Sequence, residues 1–274
     1  ALAEDFEDEQ RLRHPYTKAL FQAMPRHGFK AASGTQPYAA DMPAGCPYGP
    51  RCPDMDEGCL QEISYRSFRG GNMKLEAMNI SFQYDNGNRK ILNNVSISLE
   101  SGERVGLTAP SGFGKTTFCK ILAGYEKPDH GTVVLDGKNI SSCAGYNPVQ
   151  MIWQHPELSV NPRLKMREVL REGDFVEERV VRGLGIEPDW LNRYPGELSG
   201  GELQRFCIAR ALGKRTRFIL ADEISTMLDL ITQSQIWGFL LEEVKTRDLG
   251  LLVVSHSEEL LECVCGRVVD LRTD

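Results

Sequence analysis

The segment Ala109-Pro-Ser-Gly-Phe-Gly-Lys-Thr-Thr117 limits this chain to few folds. Small residues there let consecutive backbone N–H groups converge on phosphate oxygens, while a lysine reaches the same phosphates and a hydroxyl holds magnesium. Ala109, Pro110, Ser111, Gly112, Phe113, Gly114, Lys115, Thr116 and Thr117 are therefore candidate nucleotide-binding residues, with Lys115 on the β- and γ-phosphates and Thr116 on the metal. The motif requires a strand before it and a helix after it, and Arg104–Thr108 and Lys115–Ala123 read as these. Further on, Leu198-Ser-Gly-Gly-Glu202 opens an amphipathic run. It places bare amides at a helix N-terminus, where the dipole favours an anion. Two anion-binding loops so far apart serve two nucleotides or two subunits.

Phosphate loops of this kind usually begin with glycine, and here that position is Ala109. Alanine is tolerated only where φ is negative and the methyl has room, so a mild weakening of the site is expected. Phe113 is bulkier than such loops favour, and its side chain is expected to point away from the phosphates.

Other strand ends carry chemistry. Phe218–Ala221 is apolar and ends in Asp222-Glu223. Ligands of open α/β sheets bind at the carboxyl ends of strands. Asp222 would support magnesium through water and Glu223 would polarise an attacking water; the alternative is a pair of solvated acids. His256 follows Leu251–Val254, expected beside the previous strand, and could touch a γ-phosphate or be an ordinary surface histidine. Gln154 ends the strand Gln150–Trp153, where its amide oxygen could meet magnesium and the nucleophilic water, or solvent alone. Tyr84 could stack on an adenine or pack over the sheet edge. Asp229 reads as a helix N-cap or an interface residue.

Composition changes near Met73. Residues 1–72 form a Pro/Gly-rich tail with little core of its own, and residues 73–274 a regular domain. In the domain, Leu75–Tyr84, Val95–Leu99, Thr132–Leu135 and Val268–Leu271 read as further strands, with a hairpin turn at Asp85–Asn88. Glu168–Leu184, Gly200–Leu212 and Thr232–Thr246 read as helices. Apolar strands alternating with helices imply a mostly parallel sheet covered on both faces. A net charge of -6 and a pI near 5.5 argue against a nucleic-acid partner. No apolar run approaches the ~20 residues of a membrane span, and the acidic N-terminus is unlike a secretory signal. Cys46, Cys52 and Cys59 cluster in the tail, as ligands for zinc or an iron–sulfur cluster or as structural thiols. Cys119, Cys143, Cys207, Cys263 and Cys265 read as core or surface thiols.

Taken in order, Tyr84, Ala109–Thr117, Gln154, Leu198–Glu202, Asp222-Glu223, Ser225–Asp229 and His256 resemble the elements of ATP-binding-cassette (ABC) ATPases. The matched elements are the adenine-stacking aromatic, phosphate loop, Gln loop, signature, acidic strand end, dimer loop and switch histidine. The resemblance covers 73–274 and implies an α/β P-loop NTPase of ABC type: a mostly parallel core with an antiparallel β subdomain and a helical subdomain, here preceded by an irregular Cys/Pro-rich tail. It further implies ATP and Mg2+ as ligands. It also implies a head-to-tail homo- or heterodimer with a second cassette, whose phosphate loop would face Ser199–Gly201.

A narrower resemblance lies in Gln154–Arg163, which is similar to the Gln loop of ATPases that power oligopeptide, dipeptide and nickel importers. His14–Thr17, Ala23–Pro25 and Gly45–Cys52 with Cys59 resemble the C-terminal extension of that family. The extension normally follows a cassette, so a truncated tandem fusion is expected. Some members carry an iron–sulfur cluster on four cysteines there, whereas this tail offers Cys46, Cys52 and Cys59. The implied activity is ATP hydrolysis that drives uptake of peptides or nickel. It would act through permease subunits fed by an external substrate-binding protein, from the cytoplasmic face of the membrane. Gln154–Glu172 would receive a short permease helix. Two other readings stand beside this one. A soluble cassette of translation or DNA repair would need a charged linker between cassettes or a long coiled-coil insertion. A weakly hydrolysing cassette is suggested by Ala109.

Overall fold

The computed structural model describes residues 73–84, 90–110, 112–142, 145–226 and 228–272, all within the second of two units of the chain, Arg69–Asp274. Ser111, Cys143, the expected turn at Asp85–Asn88 and the tail cysteines Cys46, Cys52 and Cys59 lie outside the described residues. The strands are β1 (Lys74–Phe82), β2 (Leu92–Glu100), β3 (Arg104–Thr108), β4 (His130–Leu135), β5 (Lys138–Asn139), β6 (Val149–Ile152), β7 (Phe218–Asp222), β8 (Gly250–Val254) and β9 (Arg267–Asp270). The α-helices are α1 (Lys115–Leu122), α2 (Met166–Val169), α3 (Glu178–Gly183), α4 (Gly200–Ala211), α5 (Leu230–Arg247) and α6 (Glu258–Val264).

Two sheets result. The antiparallel one runs β2-β1-β4-β5 and the parallel one β6-β7-β8-β3-β9. In β1 the buried positions Leu75 and Ala77 give way to Ile80 and Phe82, a slip of one residue. A bulge absorbs it, with Asn79 at φ 55°; asparagine is one of the few side chains that tolerates this region.

The apolar runs predicted for the central strands are buried on both faces because a strand sends alternate side chains to opposite sides. Ile219 and Ala221 of β7 and Leu251 and Val253 of β8 enter a cluster with Phe206 of α4 and Leu240 of α5. Phe218 and Leu220, with Leu252 and Val254, enter a second cluster with Phe118 of α1 and Leu75 and Leu99 of the antiparallel sheet. Burying each of the larger side chains stabilises by about 1.5–3 kcal/mol, so β7 and β8 are held from both sides.

The helix expected over Glu168–Leu184 is instead two short helices, α2 and α3, separated by a loop. Tertiary contacts win over helical pattern there. The Asp174 carboxylate accepts from the Arg215 backbone N–H and, at 3.0 Å, from its Nε, and the Phe175 carbonyl accepts from Lys214 at 3.0 Å. Gly213 permits this approach, since a Cβ there would lie 2.7 Å from Asp174 Cβ. Helix α6, capped by Ser257 accepting from Leu260 N–H at 3.2 Å, and the two-residue β5 were not foreseen.

Candidate functional site

After β3 the backbone turns through Gly112 and Gly114 at φ 78° and 83°, values that glycine reaches without a steric penalty. At 114 even a Cβ would stand 2.6 Å from Ile91 Cγ2. Lys115 opens α1 and is buried, and its Nζ donates to the Ala109 carbonyl at 2.7 Å. The ammonium is thus held over the loop whose amides it would assist. Ala109 is not among the residues with positive φ, and its methyl lies in the apolar cluster of β3 and α1. Phe113 packs against the same cluster. The exposed ring of Tyr84 stands edge-on to Phe82 with centroids 4.8 Å apart, and its hydroxyl lies 3.2 Å from Thr117 Oγ1.

The sheet order sets the rest. β6, β7 and β8 are adjacent and parallel, with Ile152 opposite Ala221 and Asp222 opposite Val254. Residues just past their carboxyl ends must therefore converge. Gln154 Nε2 donates to Glu223 Oε2 at 3.1 Å, and His256 Nε2 lies 2.7 Å from Glu223 Oε1. Asp222 points elsewhere. It is 2% exposed and hydrogen-bonded by Thr116, and its Oδ1 has no partner. Burial pushes the Asp222 carboxyl above its ordinary range, and Thr116 and Lys115 only partly oppose this.

Leu198–Glu202 is not gathered onto this cluster within one chain. Leu198 packs against the helical core, whereas Ala109 and Phe113 belong to the other. Ser199 caps α4, accepting from Glu202 N–H at 3.3 Å while Glu202 accepts from Ser199 N–H at 2.7 Å, a reciprocal box that presents the first amides outward. Ser199 and Gly200 are exposed. Asp229 caps α5, its Oδ1 accepting from Ile231 and Thr232, both at 3.0 Å. These bonds, that from Thr232 first, hold its carboxyl below the ordinary range.

Among the described residues no three or more His, Cys, Asp and Glu side chains are gathered as a metal site. Among the same described residues no helix is long and apolar enough to cross a membrane. A groove of about 360 Å³ lies beside Gln154, walled by Tyr125, Trp153, Leu158, Glu172 and Arg210. Tyr125, Trp153 and Arg210 were not singled out in the sequence. The signal that could have found them is a polar and aromatic set flanking the Gln154 segment.

A phosphate cradle between strand and helix, with two acids at the end of the strand two places along the same sheet, defines a P-loop nucleoside triphosphatase. Comparison with known proteins narrows the class. Residues 92–226 match the family described as "ABC transporter", and residues 9–59 match "Oligopeptide/dipeptide transporter, C-terminal region". The chain is 33% identical over 201 residues to the nickel import ATP-binding protein NikE of Rhodospirillum rubrum, covering 67% of this chain and 73% of NikE. It is 32% identical over 216 residues to the oligopeptide transport ATP-binding protein OppF of Streptococcus mutans, covering 71% of this chain and 70% of OppF. A dimeric structure of a bacterial ABC transporter cassette superposes with TM-score 0.62 at 26% identity, covering 72% of this chain and 93% of that one. A dimeric post-hydrolysis state of an ATP-binding cassette bound to ADP and Pi shares the fold, at TM-score 0.63 and 24% identity, over 72% of this chain and 93% of that one. The chain belongs to the ATP-binding subunits of ABC transporters.

Proposed function

We propose that this chain is the ATP-hydrolysing subunit of an ABC importer for peptides or nickel. The observation that carries it is the convergence of Gln154 and His256 on Glu223 beside a buried, half-unpartnered Asp222. Lys115 and the loop amides bind the β- and γ-phosphates, and Tyr84 offers its ring to the adenine. Thr116 and the free Asp222 oxygen suit a hard divalent cation, which favours oxygen donors; Gln154 would complete that set. When bound, magnesium neutralises charge on the phosphate oxygens. Glu223 orients the attacking water and takes its proton, Gln154 and His256 hold that carboxylate in place, and His256 faces the γ-phosphate. Catalysis is then positioning and electrostatics rather than covalent chemistry.

The Ser199–Gly201 cap, exposed at Ser199 and Gly200, would close on the nucleotide of an opposing cassette, with Asp229 near that interface. The match of residues 9–59 and the similarity to NikE and OppF support import of peptides or nickel. The groove lined by Trp153, Leu158 and Glu172 supports the reading that the Gln154–Glu172 segment receives a short permease helix, which would place the chain on the inner face of the membrane. An external binding protein would act on it only through the permease. The test is ATP turnover of the wild type against Glu223→Gln. Removing a general base costs about 10²–10⁴ in rate, while ATP binding should persist. Equal turnover would remove Glu223 from this role.

A further inference from the structure

Helix α4 presents the signature residues at its N-terminus and, along one face, Gln204, Cys207 and Arg210 at three-residue intervals. The segment that carries Gln154 meets this face at the same interval. Gln204 Nε2 donates to the Trp153 carbonyl at 3.3 Å, Cys207 Sγ to that of Pro156 at 3.9 Å, and Arg210 Nη2 to that of Ser159 at 2.7 Å. Ser159 Oγ lies 3.3 Å from Cys207 Sγ, and Arg210 Nη1 pairs with Glu172 at 3.3 Å. Residues three apart on a helix share a face, so the row can fasten a chain segment running along it.

Gln204 is 3% exposed and its Oε1 has no partner. An orphaned buried acceptor costs free energy that an apolar side chain of the same volume would avoid. The amide is accounted for by its other half, which pins the carbonyl of the residue preceding Gln154. The opposite amide orientation would set two carbonyl oxygens against each other, so the contact itself fixes the assignment.

We infer that Gln204, supported by Cys207 and Arg210, is a positioning residue for hydrolysis: it fastens the Gln154 segment to the signature helix, so that the two move as one body. The roles of Gln154 and Leu198–Glu202 rest on the function proposed above. On that reading Gln154 serves the chain's own nucleotide and Ser199–Gly201 serves the opposing one. The row is then a mechanical link between the two ATP sites, running through a single chain and along the wall of the groove.

The first test needs no turnover, so its outcome is independent of whether the chain hydrolyses ATP. In the full chain, hydrogen exchange of residues 154–160 should quicken about fivefold in Gln204→Met, as expected when a hydrogen bond of roughly 1 kcal/mol is lost. The phosphate loop and α4 should exchange as in the wild type. At the less buried end of the row, Arg210→Met should release residues 158–160 and Arg210→Lys should not. Unchanged protection of 154–160, or equal loosening of α4, overturns the inference. The second test is a double-mutant cycle on turnover. Gln204→Met should lower kcat about tenfold with KM for ATP unchanged, and should have no further effect in Gln154→Ala, since the two act through one segment. Additive losses overturn it.

Discussion

Ala109→Gly restores the residue with which such phosphate loops usually begin, and it distinguishes an obstructed site from an accommodated one. The Ala109 methyl is 7% exposed, lies within the apolar cluster under the loop, and sits on backbone that does not have positive φ. Deleting it forfeits about 0.8 kcal/mol of burial. Glycine also gives the unfolded chain freedom worth about 0.4–1 kcal/mol. The expected loss is therefore about 1.5 kcal/mol, which for a domain of this size lowers Tm by about 3–6 °C. Thermal denaturation without nucleotide reads that loss, and kcat/KM for ATP reads the site. The structure predicts a lower Tm with kcat/KM unchanged within about twofold, because the methyl faces the protein rather than the phosphates. A several-fold rise in kcat/KM would show that Ala109 hinders the nucleotide, and an unchanged Tm would refute the burial argument.

Three further outcomes follow from the site. Lys115→Ala removes charge-assisted bonds worth about 1.5–3 kcal/mol; calorimetry should find ATP affinity lowered roughly 10- to 100-fold, and an unaltered Kd would exclude Lys115 from phosphate binding. Asp222 has a raised folded pKa, so the nucleotide-free protein loses stability as pH rises through that value. Asp222→Asn should raise Tm at pH 8, with the gain shrinking toward pH 4, and should abolish magnesium-dependent turnover; a pH-independent gain would contradict the desolvation argument. Asp229 has a lowered folded pKa, so its contribution is present above the ordinary value of 3.8 and is lost as pH falls through the folded one. The Tm deficit of Asp229→Ala should accordingly be full at neutral pH and fade in acid, and a deficit that persists in acid would place the loss elsewhere.

What could be read from the sequence was local. β3 begins and ends at the residues expected, Arg104 and Thr108, because an apolar run stops at a glycine-rich loop. β7 extends the expected run by Asp222 alone. Strand neighbours were partly inferable: His256 was expected next to the Glu223 strand, and β7 and β8 do pair. The broken helix at 168–184 was not legible, since the break depends on Asp174 reaching Arg215, far along the chain. Nor was the contact of Gln204 with Trp153, because a glutamine on a helix gives no sign of its burial until the partner segment is in place. Helix α6 was missed for a different reason: its seven residues span too few turns for periodicity to register.

Glu223 takes φ 50° immediately after β7, a conformation that costs a side-chain-bearing residue on the order of 1–3 kcal/mol. This single twist gives adjacent acids opposite surroundings. Asp222 stays in a dry recess against Thr116, while Glu223 swings toward the wetter rim shared by Gln154 and His256. One rotation about an N–Cα bond thus divides the labour between an oxygen kept for a cation and an oxygen kept for water, and undoing that rotation would merge two jobs that need different solvents.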